Sequence, residues 1–185
     1  PYSKVGGFGQ GFFVQNEGAL VCSANLATEP DPAKHEWVTL PEGDVGIRTP
    51  PGGGPIAGEL HVTPMNDGSF HGTYRTIDGY ACHAYSRDRG RSWQRDWMRY
   101  RPGGRKVKNP RSANFSWRCA NGRYLYWFNN HGGEPLARHT RINPPLGYAH
   151  RNPTWMCGGV ERDGQIHWSE PEIILYHDKI GRAHV

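Results

Sequence analysis

Eight residues, Ser86-Arg87-Asp88-Arg89-Gly90-Arg91-Ser92-Trp93, constrain the fold of this chain more than any other stretch. In the pattern Ser-x-Asp-x-Gly-x-Ser-Trp the aspartate can accept backbone N–H bonds across a tight turn, and the glycine supplies a left-handed conformation. The tryptophan can then pack beneath the hairpin that results. Such an octet closes a pair of strands, and its N-terminal side supplies them. Leu60 and Val62 alternate with His61 and Thr63, a turn at Asn66 to Gly68 reverses the chain, and Phe70 to Thr76 returns it. A second turn at Asp78-Gly79 leads into Tyr80 to Tyr85, which ends in the octet. The pattern is a meander of short antiparallel strands.

The meander recurs. Asn121-Gly122 opens Arg123 to Phe128 much as Asp67-Gly68 opens Ser69 to Arg75. Arg151 to Cys157 then leads into Asp163-Gly164-Gln165-Ile166-His167-Trp168, a degenerate copy of the octet with Glu161 in place of the leading serine. Aspartate precedes tryptophan by five positions in both copies, Asp88 to Trp93 and Asp163 to Trp168. A Pro/Gly/His-rich insertion, Asn129 to His150, accounts for the greater length of the second copy. Repeated strand meanders are the mark of a propeller, in which each blade buries its faces against its neighbours. Before the first meander, Ala19 to Ala24 reads as a short strand, with Gly-Phe-Gly-Gln-Gly-Phe-Phe-Val preceding it. Residues 27 to 57, with six prolines and a triple glycine, read as an irregular connection.

Composition limits the functional classes. No apolar run approaches the roughly 18 residues of a membrane span. The net charge of +5 permits nucleic acid, an anionic substrate or a solvated surface. The densest basic run, Arg99 to Arg111, carries Pro and Gly and no recognition-helix, zinc-finger or RNP-like pattern, so it reads as a solvated loop and not as a nucleic-acid interface. Cys22, Cys82, Cys119 and Cys157 lie far apart with no metal-ligand spacing, and His131, His139 and His150 show none either. No metal or cofactor is expected. Buried free thiols are the preferred reading of Cys82, Cys119 and Cys157, with a disulfide left open.

Glu59 and the Asp-Gly turn that follows it, Tyr-Arg-Thr at 74–76, the octet, Asn-Pro-Arg-Ser at 109–112, Asn-Gly-Arg-Tyr-Leu at 121–125 and Arg-Asn-Pro at 151–153 together resemble the middle of an exo-sialidase (neuraminidase) propeller. The octet is similar to the Asp-box (BNR repeat) of that family. The resemblance covers most of residues 58 to 178 and implies an all-β chain: two to three blades of a six-bladed sialidase-like β-propeller. It makes Ser86, Asp88, Gly90, Ser92, Trp93, Asp163 and Trp168 structural. In such enzymes three arginines clamp the substrate carboxylate, a tyrosine is the nucleophile, a glutamate polarises it and an aspartate serves as acid/base. The resemblance assigns Glu59 to the glutamate, Arg75 to the second arginine and Arg151 to the third, with Arg111 as a further substrate contact. The residue types suit the task, because guanidinium groups present planar, permanently charged forks to a carboxylate. Without the motif, Glu59 and Arg75 would read as surface residues, Arg111 as a solvated loop residue, and Tyr74, Trp127 and Trp155 as core.

The match is incomplete. Arg48 before Thr49-Pro50 is only loosely like the first arginine of the triad and lies too close to Glu59. No acid/base aspartate is assignable. Tyr176, within Ile173 to Tyr176, reads as a strand residue, so the nucleophile is expected just past Asp178. The tail Lys179 to Val185 back-translates to a common short-read sequencing adapter. Residues 1–178 are therefore expected to be part of a longer propeller, and residues 179–185 to be non-native. The function implied for the full-length parent is removal of a terminal sialic acid, or similar acidic sugar, from a glycoconjugate with retention of configuration. A secreted or periplasmic location for that parent is an expectation only. The alternative is a non-catalytic propeller of the same fold that binds carbohydrate or protein.

Overall fold

A computed structural model describes residues 17–54, 56, 58–133 and 151–176 of the chain. The Phe-rich start, most of the 129–150 insertion with His139 and His150, and the 179–185 tail lie outside the described residues. The architecture is all-β, with eleven strands and one 3-10 turn at Pro32–Lys34 among the described residues. β1 (Leu20–Ser23) and β2 (Trp37–Leu40) form an antiparallel pair. The first four-stranded sheet follows chain order: β3 (His61–Pro64), β4 (Phe70–Tyr74), β5 (Cys82–Ser86) and β6 (Gln94–Trp97). The second runs β7 (Phe115–Arg118), β8 (Tyr124–Phe128), β9 (Thr154–Arg162) and β10 (Gln165–Trp168), and β11 (Glu172–Leu175) extends β10's edge by pairing with the start of β9. Every pairing is antiparallel.

The expected meander is present, with β2 as a correction. The proline-rich stretch 27–57 reads as an irregular connection with no central strand, yet within it Trp37 to Leu40 pairs with β1 in a two-stranded sheet. Pro32 and Pro41 flank these four residues without entering them, so each keeps the N–H that a ladder needs.

Alternation along β4 and β5 divides the first sheet between two cores. Tyr74, Cys82 and Ala84 face Ile47 and Ile56, with Leu60, Trp93 and Trp97 packed alongside. On the opposite face Tyr85 joins Met65, Met98, Tyr100, Val107, Tyr124, Tyr126, Phe128, Cys157, Ile166 and Trp168 in a core between the two sheets. Tyr74 is fully buried, as the sequence suggested, and Trp127 stacks on Phe115 at 5.8 Å. The basic run 99–111 is more than a solvated loop. It folds back on itself through an Arg99–Lys106 bridge and sends Tyr100 and Val107 into the core between the sheets. All four cysteines are free; Cys82 and Cys157 are buried, Cys119 is half-buried and Cys22 is exposed.

The strand directions give the two sheets a common turn end and a common loop end. The turn end carries Asn66 to Gly68, the Ser86–Trp93 octet, Asn121-Gly122 and Asp163-Gly164. At the octet, Asp88 accepts from the Ser92 amide at 2.9 Å, the Ser92 hydroxyl at 2.5 Å and the Ser86 hydroxyl at 2.8 Å. The Gly90 amide donates to Ser86 Oγ at 2.7 Å, Gly90 takes φ 89°, and Trp93 Nε1 donates to Gly90 O at 2.9 Å. The Ser92 bonds are the main reason the Asp88 carboxyl is held down to about 2.

The degenerate copy is built differently, which corrects the reading of Asp163 and Trp168 as a second octet. Arg162 pairs directly with Gln165, so Asp163 and Gly164, at φ 50° and 68°, form a two-residue hairpin turn that closes without help from a carboxylate. Trp168 lies in the core between the sheets rather than beneath its own turn. Glu161, at the place of the leading serine, reaches across to the other sheet. It accepts from Tyr124 Oη at 2.6 Å and from the Asn66 amide at 2.9 Å. Arg87, inside the octet, makes the reciprocal link by donating to Asp67, Ser69 and the Gly164 carbonyl.

Candidate active site

The loop end brings the sequence-selected residues to one side of both sheets. Glu59 precedes β3, Arg75 follows β4, Arg111 precedes β7 and Arg151 precedes β9. The octet is at the other end, so the conspicuous motif and the candidate site are separated by the length of the strands.

Arg75 continues the face of β4 that presents His71 and Thr73 to the second sheet, and it is buried. Its Nη1 lies 3.1 Å from Glu59 Oε1. Gly58 and Glu59 are both left-handed, at φ 83° and 59°. Glycine adopts that conformation freely, whereas a glutamate does so only when its surroundings impose it. Here the Arg75 amide donates to Gly58 O at 3.2 Å, and an Ile56–Thr76 bridge ties the same turn to the end of β4. A non-glycine residue held in this region is a recurrent feature of functional sites. The glutamate remains about 38 % exposed beside an arginine at 8 %, so the pair has one open side.

Neighbouring loops are fixed by buried polar groups. Asp78 accepts from the Gly54 amide at 3.0 Å, pinning the triple-glycine loop against the β4–β5 loop. Asn109 donates from Nδ2 to Pro110 O and Ser112 O, both at 3.0 Å, and so brackets Arg111. Asn129 donates its own amide to Asn109 Oδ1 and its Nδ2 to Arg151 O and Pro153 O. Asn109 and Asn129 thus place the two arginine-bearing loops. The sequence reading missed both, and the only signal was Asn109 standing before Pro110.

Arg111 is 2 % exposed, which corrects its reading as a solvated loop residue. Arg151 Nη2 donates to Arg111 O at 2.8 Å, so these two loops form one unit. Arg48 turns away to pair with Glu17, and only its carbonyl joins the core, accepting from Tyr74 Oη at 3.0 Å. Tyr176 follows β11 at the same end as Arg151, but on the outer edge of its sheet and 64 % exposed. The arrangement therefore offers guanidinium groups of the kind that can pair with an anion, with the Glu59 carboxylate beside Arg75. Among the described residues no group of three His, Cys, Asp or Glu side chains could hold a metal ion, and no helix is long and apolar enough to cross a membrane.

No family model matches the chain, and no curated protein sequence does. Solved structures do. A point mutant of the NanB sialidase of Streptococcus pneumoniae superposes with a TM-score of 0.51 at 13 % identity, over 77 % of this chain and 19 % of that one. The same sialidase bound to a substituted ethanesulfonate gives 0.51 at 12 % identity, over 88 % and 22 %. At such identities the likeness shows the fold alone, and the chain spans about a fifth of the length of these enzymes. The chain has the all-β, antiparallel fold of part of a sialidase-like β-propeller.

Proposed function

We propose that the chain is part of an exo-acting glycoside hydrolase of the sialidase type, which removes a terminal sialic acid or similar acidic sugar from a glycoconjugate with retention. The observation that carries this reading is the Arg75–Glu59 pair, a buried guanidinium and a left-handed glutamate side by side at the loop end of a sialidase-like fold. Arg75 binds the sugar carboxylate through its planar fork, with Arg111 and Arg151 on adjoining loops adding positive charge. Glu59 is placed to accept the proton of a phenol as that phenol attacks the anomeric carbon. A tyrosine suits an anionic sugar, because a neutral attacker escapes the repulsion a carboxylate would meet. The tyrosine, the acid that protonates the leaving oxygen and the first arginine of the clamp belong to sequence beyond the described residues.

The test is hydrolysis of a fluorogenic sialoside by the full-length protein, with the product anomer followed by NMR. The reading predicts cleavage with the α-anomer of the free sugar appearing first, and no cleavage of the matching neutral glycoside. Equal turnover of both glycosides, or of neither, would refute it. One observation favours a second reading, a non-catalytic binding propeller: Arg151 Nη2 gives one of its two N–H groups to the Arg111 carbonyl, a structural role that needs no substrate. Sialoside binding without turnover would select that alternative.

A further inference from the structure

A file of hydrogen-bonded side chains crosses the seam between the two sheets, apart from the loop-end arginines. Thr63 Oγ1 on β3 lies 2.9 Å from Ser116 Oγ on β7. Ser116 Oγ lies 3.1 Å from His71 Nδ1 on β4, and His71 Nε2 lies 3.2 Å from His83 Nδ1 on β5. Thr63, His71 and Ser116 are buried, with His71 at 0 % exposure. His83 is half-buried and lines a cavity of about 170 Å³ together with Asp96, Arg99, Arg101 and Gln165. The file therefore has one dead end inside the seam and one end at a cavity.

The two rings meet edge to face, 88° apart. With both neutral, one nitrogen of the contact donates and the other accepts. A single proton added at His83 is tolerated, because its Nδ1–H can donate to the His71 Nε2 lone pair. A second proton on His71 would set N–H against N–H and place two cations side by side. The surroundings offer little compensation. Tyr85 and Trp168 cover His71 with aromatic rings at 4.9 and 6.0 Å, and Ser116 is neutral. His61 on β3 adds only a like charge when protonated. Among the described residues Asp96 on β6 is the acidic group that acts on His83, and it lines the same cavity as Arg99 and Arg101.

We propose that the Thr63–Ser116–His71–His83 file is an acid-sensitive latch at the seam between the two sheets: neutral, it ties β4 to β7 through His71 and Ser116 and β4 to β5 through the two rings, and protonated on both rings it loses the ring-to-ring bond and holds two cations against the second sheet, which loosens the seam. Burial pushes both imidazoles down, His83 to about 4 and His71 well below its ordinary value. Both shifts are depressions, so the unfolded chain binds these protons more tightly. The stabilisation is complete above the ordinary histidine value of about 6.5 and is lost as pH falls through the window from there to about 4. Within that window each histidine lowers the folded-to-unfolded ratio by up to about tenfold per pH unit. The latch is independent of the sialidase reading.

Two measurements on the full-length protein test it. In the first, ring protons of His71 and His83 are titrated by NMR in the folded, unsubstituted chain. The latch requires both to remain neutral at pH 5.5, and titration of either near 6.5 would overturn it. In the second, urea midpoints at pH 7 and pH 5 are compared between the unsubstituted chain and the His71→Gln, His83→Asn double variant, whose amides replace the hydrogen-bonding nitrogens without titrating. The latch predicts that the variant loses much less of its midpoint than the unsubstituted chain. An equal loss in both would overturn it. If the variant does not fold, the NMR titration decides.

Discussion

Arg75, the proposed carboxylate-binding residue, and Asp88, which orders the octet turn, stand out in the sequence for different reasons. Asp88 is legible because all its partners lie within four residues, so its turn follows from the octet alone. Its carboxyl is held below the ordinary 3.8, down to about 2, so the turn is fully stabilised above about pH 4 and loses that support as pH falls through 2. Asp88→Asn is expected to lower the melting midpoint at pH 7, with the gap from the unsubstituted chain closing between pH 4 and pH 2. Thermal melts across that range check it, and a gap that does not depend on pH would contradict the assigned cause. Arg75 stands out only through the family resemblance that Tyr-Arg-Thr and the octet carry; without that motif it reads as a surface arginine. Asn109 and Asn129 were not legible, because an asparagine near a turn is ordinary and their mutual contact spans 20 residues.

Strands that alternate cleanly could be read from the chain, and those set by distant contacts could not. β4, β5 and β8 have the expected period. β2 was hidden by flanking prolines, and the Tyr100 and Val107 anchors by the basic residues around them. The β9–β10 hairpin shows how a repeat can mislead: an Asp and a Trp five apart serve as a two-residue turn and a core residue, not as a second octet. Packing across this hairpin is tight at Gly159, where a Cβ would fall 2.7 Å from both Ile166 Cγ2 and Trp168 Cζ3. Gly159→Ala is therefore expected to cost about 1–3 kcal/mol through overpacking of the seam. Urea denaturation measures this directly, and an unchanged midpoint would mean that the hairpin is looser than its geometry indicates.

At the scale of the molecule, two antiparallel sheets share a core, and the structural cross-links and the proposed site lie at opposite ends. The turn end is structural, cross-linked by Arg87 to Gly164 and by Glu161 to Asn66. The loop end gathers Glu59, Arg75, Arg111 and Arg151. None of that gathering is local: Met65, Tyr85, Tyr124 and Ile166 of the shared core come from four separate strands or turns, so the sequence could suggest repeated meanders but not which faces meet. The separation of the two ends also supplies its own control. In the full-length protein, kcat/KM for a fluorogenic sialoside is measured for Arg75→Ala and Arg87→Ala beside the parent. Removing one partner of a desolvated charge pair at a binding site costs roughly 2–5 kcal/mol, so Arg75→Ala is expected to lower kcat/KM by about thirtyfold or more. Arg87→Ala, at the turn end, is expected to lower the melting midpoint and leave kcat/KM near that of the parent. Parental kcat/KM in Arg75→Ala would contradict the assignment of the loop end as the site.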